Sequence, residues 1–288
     1  MGLATRMGQK TKIPETTVPG KLFYTAATLG HWVFIALRRR RHRTDRSVSG
    51  TVRSLAADIR RDGFVVIEGF MDGTACAALR SRIDELMQNS AEMSEPVADQ
   101  RAVSAETADD RIDNFLKSDL PLDVAEVFFG NRMVPAYCEA ARVLPIPGQQ
   151  GSGGSWHRDS FFREIKAILY LSDVGEEDGP YEFFPGSERL GDVIAGIWRD
   201  GLKFRQNRLA DDEADRVIAR RGATSISVCG PAGTLILCNT ATMHRGRPCR
   251  RSPRYSLTSN YFENFTYTPE RLARLGVEYR PERLPQRS

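Results

Sequence analysis

The 288-residue chain is 41% hydrophobic, 27% charged and 9% aromatic, enough to close a sizeable core; this excludes a disordered chain, a collagen-like chain and a multi-span membrane protein. Its five cysteines, Cys76, Cys138, Cys229, Cys238 and Cys249, are scattered without a CxxC pair, which argues against a zinc knuckle or disulfide framework and for a reducing cytosol. The net charge of +4 is uneven: residues 1–50 hold ten Lys/Arg against Glu15 and Asp45, leaving 31 basic and 35 acidic residues in a body too acidic to make a nucleic-acid surface.

Residues 1–20 read as a loose polar leader. The apolar stretch Leu22–Leu37 is 16 residues long, interrupted by Thr25, Thr28, Gly30 and His31, and followed by the basic run RRRRHR. It is too short to span a bilayer and has the wrong flanks for a signal peptide. An interfacial helix contacting anionic membrane through residues 22–46 and a helix packed on the body are both consistent with it.

From Thr51 the pattern becomes globular. Val52–Arg61 predicts a short amphipathic helix, Gly63–Phe70 a strand, and Asp72 an N-cap for a helix over 74–88 that carries Leu79, Ile83 and Leu86 at helical spacing. Residues 89–120 are polar and undecided, and Leu122–Leu144 predicts a further helical region ended by Pro145, Pro147 and Gly148. After QQGSGG come short β-like runs, Glu164–Leu171, Tyr181–Phe184, Ser225–Val228, Thr234–Cys238 and Arg254–Phe262, separated by Gly-Pro and Pro-Gly turns. DDEADRVIARR at 211–221 predicts a surface helix. Helices followed by evenly spaced strands predict a mainly β domain, a barrel or jelly roll with helices packed against it.

Only two histidines, His157 and His244, lie in the body. His157 begins WHRD, so Asp159 stands two residues on, where an extended backbone places both side chains on one face. HxD alone is common in capped turns and surface pairs. With a second histidine after the strand TLILC, it forms the two-histidine, one-carboxylate set that holds non-haem Fe(II) with open positions. Ten residues after His244, Arg254 shares the polar face of RYSLTSNYF with Ser256, and the pair suits a carboxylate better than Arg250 or Arg251, which lack that register. Lys166 and Tyr170 share a face opposite the apolar Ile165, Ala167, Leu169 and Leu171. A lysine turned inward there needs an anion; a bound carboxylate, Glu164 and Asp173 are the candidates.

WHRDSFFREIKAILYLSDVGEEDGPYEFFPGSE, GPAGTLILCNTATMHRG and PRYSLTSNYF together resemble the phytanoyl-CoA dioxygenase family, from about Gly63 to Phe262. The resemblance implies a double-stranded β-helix (jelly-roll or cupin-like) core flanked by α-helices over residues 49–288, behind a basic tail at 1–48. It also implies Fe(II) on His157, Asp159 and His244, with 2-oxoglutarate and O2 as co-substrates. Arg254 would hold the distal carboxylate of 2-oxoglutarate, assisted by Ser256, and 2-oxoglutarate or a substrate carboxylate would be an anion for Lys166. The implied reaction hydroxylates a small-molecule, lipid or glycan-precursor substrate with release of succinate and CO2. Related halogenases lack the carboxylate ligand, so Asp159 implies hydroxylation. The chain departs from the pattern at Glu188, where the family usually has histidine after PGS. Two other readings are a metal-retaining binding protein without turnover and a membrane-peripheral scaffold acting through the tail. The expected location is cytoplasmic, with peripheral contact to the inner membrane face.

Overall fold

The structure, a computed structural model, describes residues 17–39, 48–88, 97–149, 153–161, 164–222 and 224–285. The leader to residue 16, most of the arginine run, the stretch 89–96 and the centre of QQGSGG lie outside the described residues. The elements in chain order are α1 (Val18–Arg39), α2 (Gly50–Asp62), β1 (Phe64–Ile67), α3 (Gly73–Gln88), β2 (Asp99–Ala102), α4 (Asp110–Leu116), α5 (Asp119–Phe129), β3 (Met133–Val143), β4 (Glu164–Tyr170) and β5 (Tyr181–Phe183). They continue with α6 (Leu190–Ala195), α7 (Asp211–Arg221), β6 (Ile226–Val228), β7 (Leu235–Asn239), β8 (His244–Gly246), β9 (Arg254–Glu263) and α8 (Pro269–Arg274). No helix among the described residues is long and apolar enough to cross a membrane.

The strands form a six-stranded sheet, β1-β7-β4-β9-β3-β2, and a three-stranded sheet, β6-β5-β8, with every pairing antiparallel. Alternation along the central strands decides what each face buries. Ile165, Ala167 and Leu169 of β4, with Leu235 and Leu237 of β7, join Leu79, Ile83, Ile112, Leu116 and Val124 of the helices in the main core. The opposite face supplies Ile168, Tyr170, Ile236 and Cys238, which pack on Phe64, Phe183 and Val228. This is the jelly-roll architecture expected, with its helical layer on the outer face of the larger sheet.

Local signals set several boundaries. Ser49 caps α2 by accepting from Val52 N, and Gly63 ends it at φ 87°. The Asp72 carboxylate accepts from Ala75 N at 2.9 Å, as expected of a cap to α3. The 211–221 insertion is the surface helix α7, half-anchored by Ala214 and Val217 and by Arg220, which pairs with Asp192 and Asp200.

The helical reading of 122–144 holds only to Phe129. Gly130 at φ 64° closes α5, its N–H donating to Glu126 O, and Met133–Val143 forms β3 between β9 and β2. Most of β3 is buried on both faces, so its side chains lack the polar alternation that marks a strand. A register shift at Pro135/Tyr137 absorbs the proline that cannot donate to the ladder. The polar edge strand β2 and the three-residue β8 carry no strand pattern of their own.

Candidate metal centre and its cavity

The two body histidines, 87 residues apart in sequence, are backbone partners: His157 N donates to His244 O (3.0 Å) and His244 N donates to His157 O (2.9 Å). Asp159 N donates to Thr240 O (3.1 Å), so the HxD segment lies as an extended bridge along the approach to β8 rather than as a regular strand. Buried Arg158, between the two HxD residues, points away and ties the same loops together. Its Nε donates to Ala241 O and its Nη2 to Ser187 O.

Side-chain chemistry converges at this point. His157 Nδ1 lies 2.8 Å from Ser155 O, and His244 Nδ1 lies 2.8 Å from Thr242 O. A carbonyl only accepts, so each Nδ1 carries the proton and each Nε2 presents its lone pair. Those lone pairs face one carboxylate: His157 Nε2 is 3.5 Å from Asp159 Oδ1, and His244 Nε2 is 3.2 Å from Asp159 Oδ2. Burial pushes His157 below its ordinary value, although Asp159 and the Ser155 carbonyl oppose this, which keeps the ring neutral. Two lone pairs and an anion at these distances repel unless a cation lies between them. Neighbouring ligands of an octahedral ion, at metal–ligand distances of roughly 2.1 Å, are themselves roughly 3.0 Å apart. The donor set therefore fits the metal: His157, Asp159 and His244 offer three ligand atoms within 4.8 Å of one another.

Lys166 completes the centre, 3.0 Å from Asp159 Oδ2. Burial works against the ionised Asp159, but the Lys166 ammonium favours it, and the carboxyl lies well below its usual range. The structural partners expected for Lys166 are engaged elsewhere. Glu164 pairs with Arg271, and Asp173 accepts from Ala232 N.

The centre opens on a cavity of about 710 Å³ lined on one side by Ile168, Tyr181, Gly246 and Arg254. Arg254 is 3% exposed, sits 4.7 Å over the Tyr181 ring, and leaves its Nε and Nη1 buried without a hydrogen bond. A Cβ at Gly246 would stand 3.1 Å from Arg254 Nη2, so this glycine keeps the guanidinium's space clear. A buried arginine with unspent donors at the end of a cavity is a seat for an anion. Arg251 does not compete, being largely exposed and paired with Asp178 at 2.6 Å. Ser256 stands on β9 opposite Tyr170, its Oγ buried without a partner, but it does not line the cavity. Tyr170 does not line it either: its hydroxyl donates to Val228 O and accepts from Tyr181 N, joining the two sheets.

Sequence reasoning missed much of the remaining lining. Arg101 on β2 pairs with Asp99 and Glu139 close to the His157 ring, and the Arg271–Glu164 pair bounds another wall beside Phe262 and Phe265. Phe34 of α1 also lines the cavity. No local motif marks these residues; only tertiary pairing brings them in. Glu188, the departure after PGS, accepts from Thr242 Oγ1 at 3.3 Å and braces the loop that leads into His244.

The phytanoyl-CoA dioxygenase (PhyH) family description matches residues 59–253, which contain the converging His157, Asp159 and His244. The chain belongs to the phytanoyl-CoA dioxygenase family. As a member it is an Fe(II)- and 2-oxoglutarate-dependent dioxygenase, the class that its His-Asp-His centre fits. Among curated relatives of this family member, an ectoine dioxygenase of Bordetella bronchiseptica is 22% identical over 254 residues, covering 79% of this chain and 80% of the relative. An L-proline trans-4-hydroxylase of Streptomyces griseoviridis is 24% identical over 155 residues, covering 47% of this chain and 57% of the relative. Among solved structures, EctD from S. alaskensis with 2-oxoglutarate and 5-hydroxyectoine superposes with a TM-score of 0.55 at 18% identity, covering 85% of this chain and 86% of that one; this likeness shows the fold.

Proposed function

We propose that His157, Asp159 and His244 hold Fe(II), that Arg254 seats the distal carboxylate of 2-oxoglutarate, and that the chain hydroxylates a small molecule. The observation that carries the reading is the pair of Nδ1–carbonyl contacts, which turn both Nε2 atoms onto Asp159 at the edge of a cavity with Arg254 beyond. Bound there, Fe(II) supplies dioxygen activation coupled to the decarboxylation of 2-oxoglutarate to succinate and CO2.

The protein supplies the rest. The backbone bridge between His157 and His244 fixes the ligand spacing, and the two carbonyls fix the ring orientation. Arg254 orients the co-substrate along the cavity, and Lys166 adds a second cation beside it. Ser256, with its unspent hydroxyl, supports the Arg254 end from β9. The walls carrying Arg101–Glu139 and Arg271–Glu164 receive a small polar substrate, in keeping with relatives named for ectoine and proline. Residues 49–288 form the oxygenase domain, and the five unpaired cysteines support a cytoplasmic location.

Aerobic turnover tests the reading. Fe(II) and 2-oxoglutarate should yield succinate, and a lysate metabolite should appear as its hydroxylated product by mass spectrometry. Absence of Fe(II)-dependent succinate from correctly folded protein would overturn it.

A further inference from the structure

Helix α1 lies on the body with its polar side chains inward. Lys21 Nζ donates to Trp198 O and Trp198 Nε1 donates to Thr25 Oγ1, both at 2.9 Å. On the same side His31 Nε2 lies 3.0 Å from Phe161 O, and Thr28 is buried. The outward arc is apolar: Leu22, Phe23, Leu29, Val33, Phe34 and Leu37 are 43–58% exposed. At 3.6 residues per turn these six fall within ~140° of the helix circumference. Among the described residues from 20 to 37, the other exposed positions are Ala26, Gly30 and Ala36, so no polar side chain interrupts the arc. A helix on a water-bathed surface has the opposite arrangement, and a contiguous exposed apolar face marks something that covers it.

Size and charge choose the cover. One helix ~33 Å long and ~10 Å wide presents roughly 300 Å², well short of the ~800 Å² per partner of a stable protein interface. The sequence runs from Leu37 directly into Arg38, Arg39, Arg40 and Arg41, with Arg43 and Arg46 beyond and Asp45 the one opposing charge. We propose that α1 docks this chain on an anionic membrane surface, its apolar arc immersed at the acyl boundary, with the basic run that follows it in sequence supplying the charge that favours anionic lipid. Phe34 belongs to the arc and lines the cavity, meeting Phe265 edge-to-face at 6.3 Å, so the cavity adjoins the docked face. The surface is separate from the metal centre, and its failure would leave the iron reading intact.

Co-sedimentation of the full chain with vesicles tests this. Wild type should pellet with phosphatidylglycerol-containing vesicles at ~0.1 M salt and stay in solution with phosphatidylcholine alone. The variant Leu22→Glu/Leu29→Glu/Val33→Glu, altered only at exposed positions, should lose ~30-fold or more in apparent affinity while keeping its melting temperature and succinate production. Arg38→Gln/Arg39→Gln/Arg40→Gln/Arg41→Gln should weaken binding and flatten its salt dependence. Wild type that ignores anionic vesicles, or a triple Glu variant that binds them equally well, overturns the proposal. A solution dimer that the Glu variant converts to monomer, without vesicle binding, also overturns it and assigns the arc to a second copy.

Discussion

Lys166 Nζ stands 3.0 Å from Asp159 Oδ2, on the same carboxylate oxygen that His244 Nε2 approaches at 3.2 Å. One cation thus already neutralises the carboxylate that a metal would share. Lys166 supports the metal-free fold and opposes the incoming ion, because both positive charges act on one anion. Removing one partner of a buried pair costs ~3–5 kcal/mol. Lys166→Met should lower the metal-free melting temperature by roughly 6–20 °C, at ~2–4 °C per kcal/mol, and should enlarge the rise on adding Mn(II) or Fe(II). Differential scanning calorimetry with and without metal measures both, and an unchanged metal-free transition would show that the contact carries no stability.

His244 joins two roles, as a proposed metal ligand and as the backbone partner of His157. His244→Ala keeps the backbone bridge and removes the imidazole, with its Nε2 lone pair and its Nδ1 contact to Thr242 O. Anaerobic titration should show metal affinity reduced by ~100-fold or more, with no metal-dependent rise in melting temperature and no succinate. Wild-type protein stripped by EDTA should regain activity with Fe(II). Full turnover by the alanine variant would place the metal elsewhere.

Arg254 predicts a selective defect. Loss of one partner from a buried charge-assisted pair costs ~2–5 kcal/mol, so Arg254→Ala should raise the KM for 2-oxoglutarate roughly 30-fold or more, at ~1.4 kcal/mol per decade. Metal affinity should change little, since the guanidinium does not touch the ligands. Arg251→Ala, which removes an exposed side chain paired with Asp178, should leave that KM unaltered. The opposite pattern would transfer the anchor to Arg251.

The turn before β7 should be the most sensitive glycine site. Gly233 has φ +92°, and a Cβ there would fall 2.0 Å from Met71 O, a backbone atom with no rotamer to escape into. Its own carbonyl also accepts from Phe70 N at 2.9 Å, so relaxation would break the contact that closes the sheet edge. Gly233→Ala should destabilise by at least ~3 kcal/mol, read as a fall of roughly 6–12 °C in melting temperature. A shift under ~2 °C would mean that the turn relaxes freely.

The parts of the site that were legible in sequence share one property: they belong to short segments with a chemical signature. HxD, the histidine after TLILC and the arginine opening RYSLTSNYF could be placed because metal and carboxylate binding restrict residue type at close spacing. Strands β4, β5 and β6 lie within the expected runs, and β7 and β9 run one residue past the C-terminal ends of theirs, because turn residues bracket them. Residues 133–143 misled because a strand covered on both faces lacks the polar alternation that separates it from a helix. Arg101 and Arg271 reach the cavity through pairings across 38 and 107 residues, with Glu139 and Glu164 respectively, distances at which no local pattern operates. The orientation of α1 was likewise invisible, since periodicity finds an apolar stripe but not the side on which the body lies.

The mutual backbone bonds of His157 and His244 make ligand spacing a matter of register rather than of side-chain packing. On the proposed reading, a substitution in the wall, at Arg101, Arg271 or Phe34, would alter recognition, whereas a one-residue insertion in either ligand segment would turn an imidazole to the opposite face. Recognition and reactivity are therefore separately adjustable in this fold.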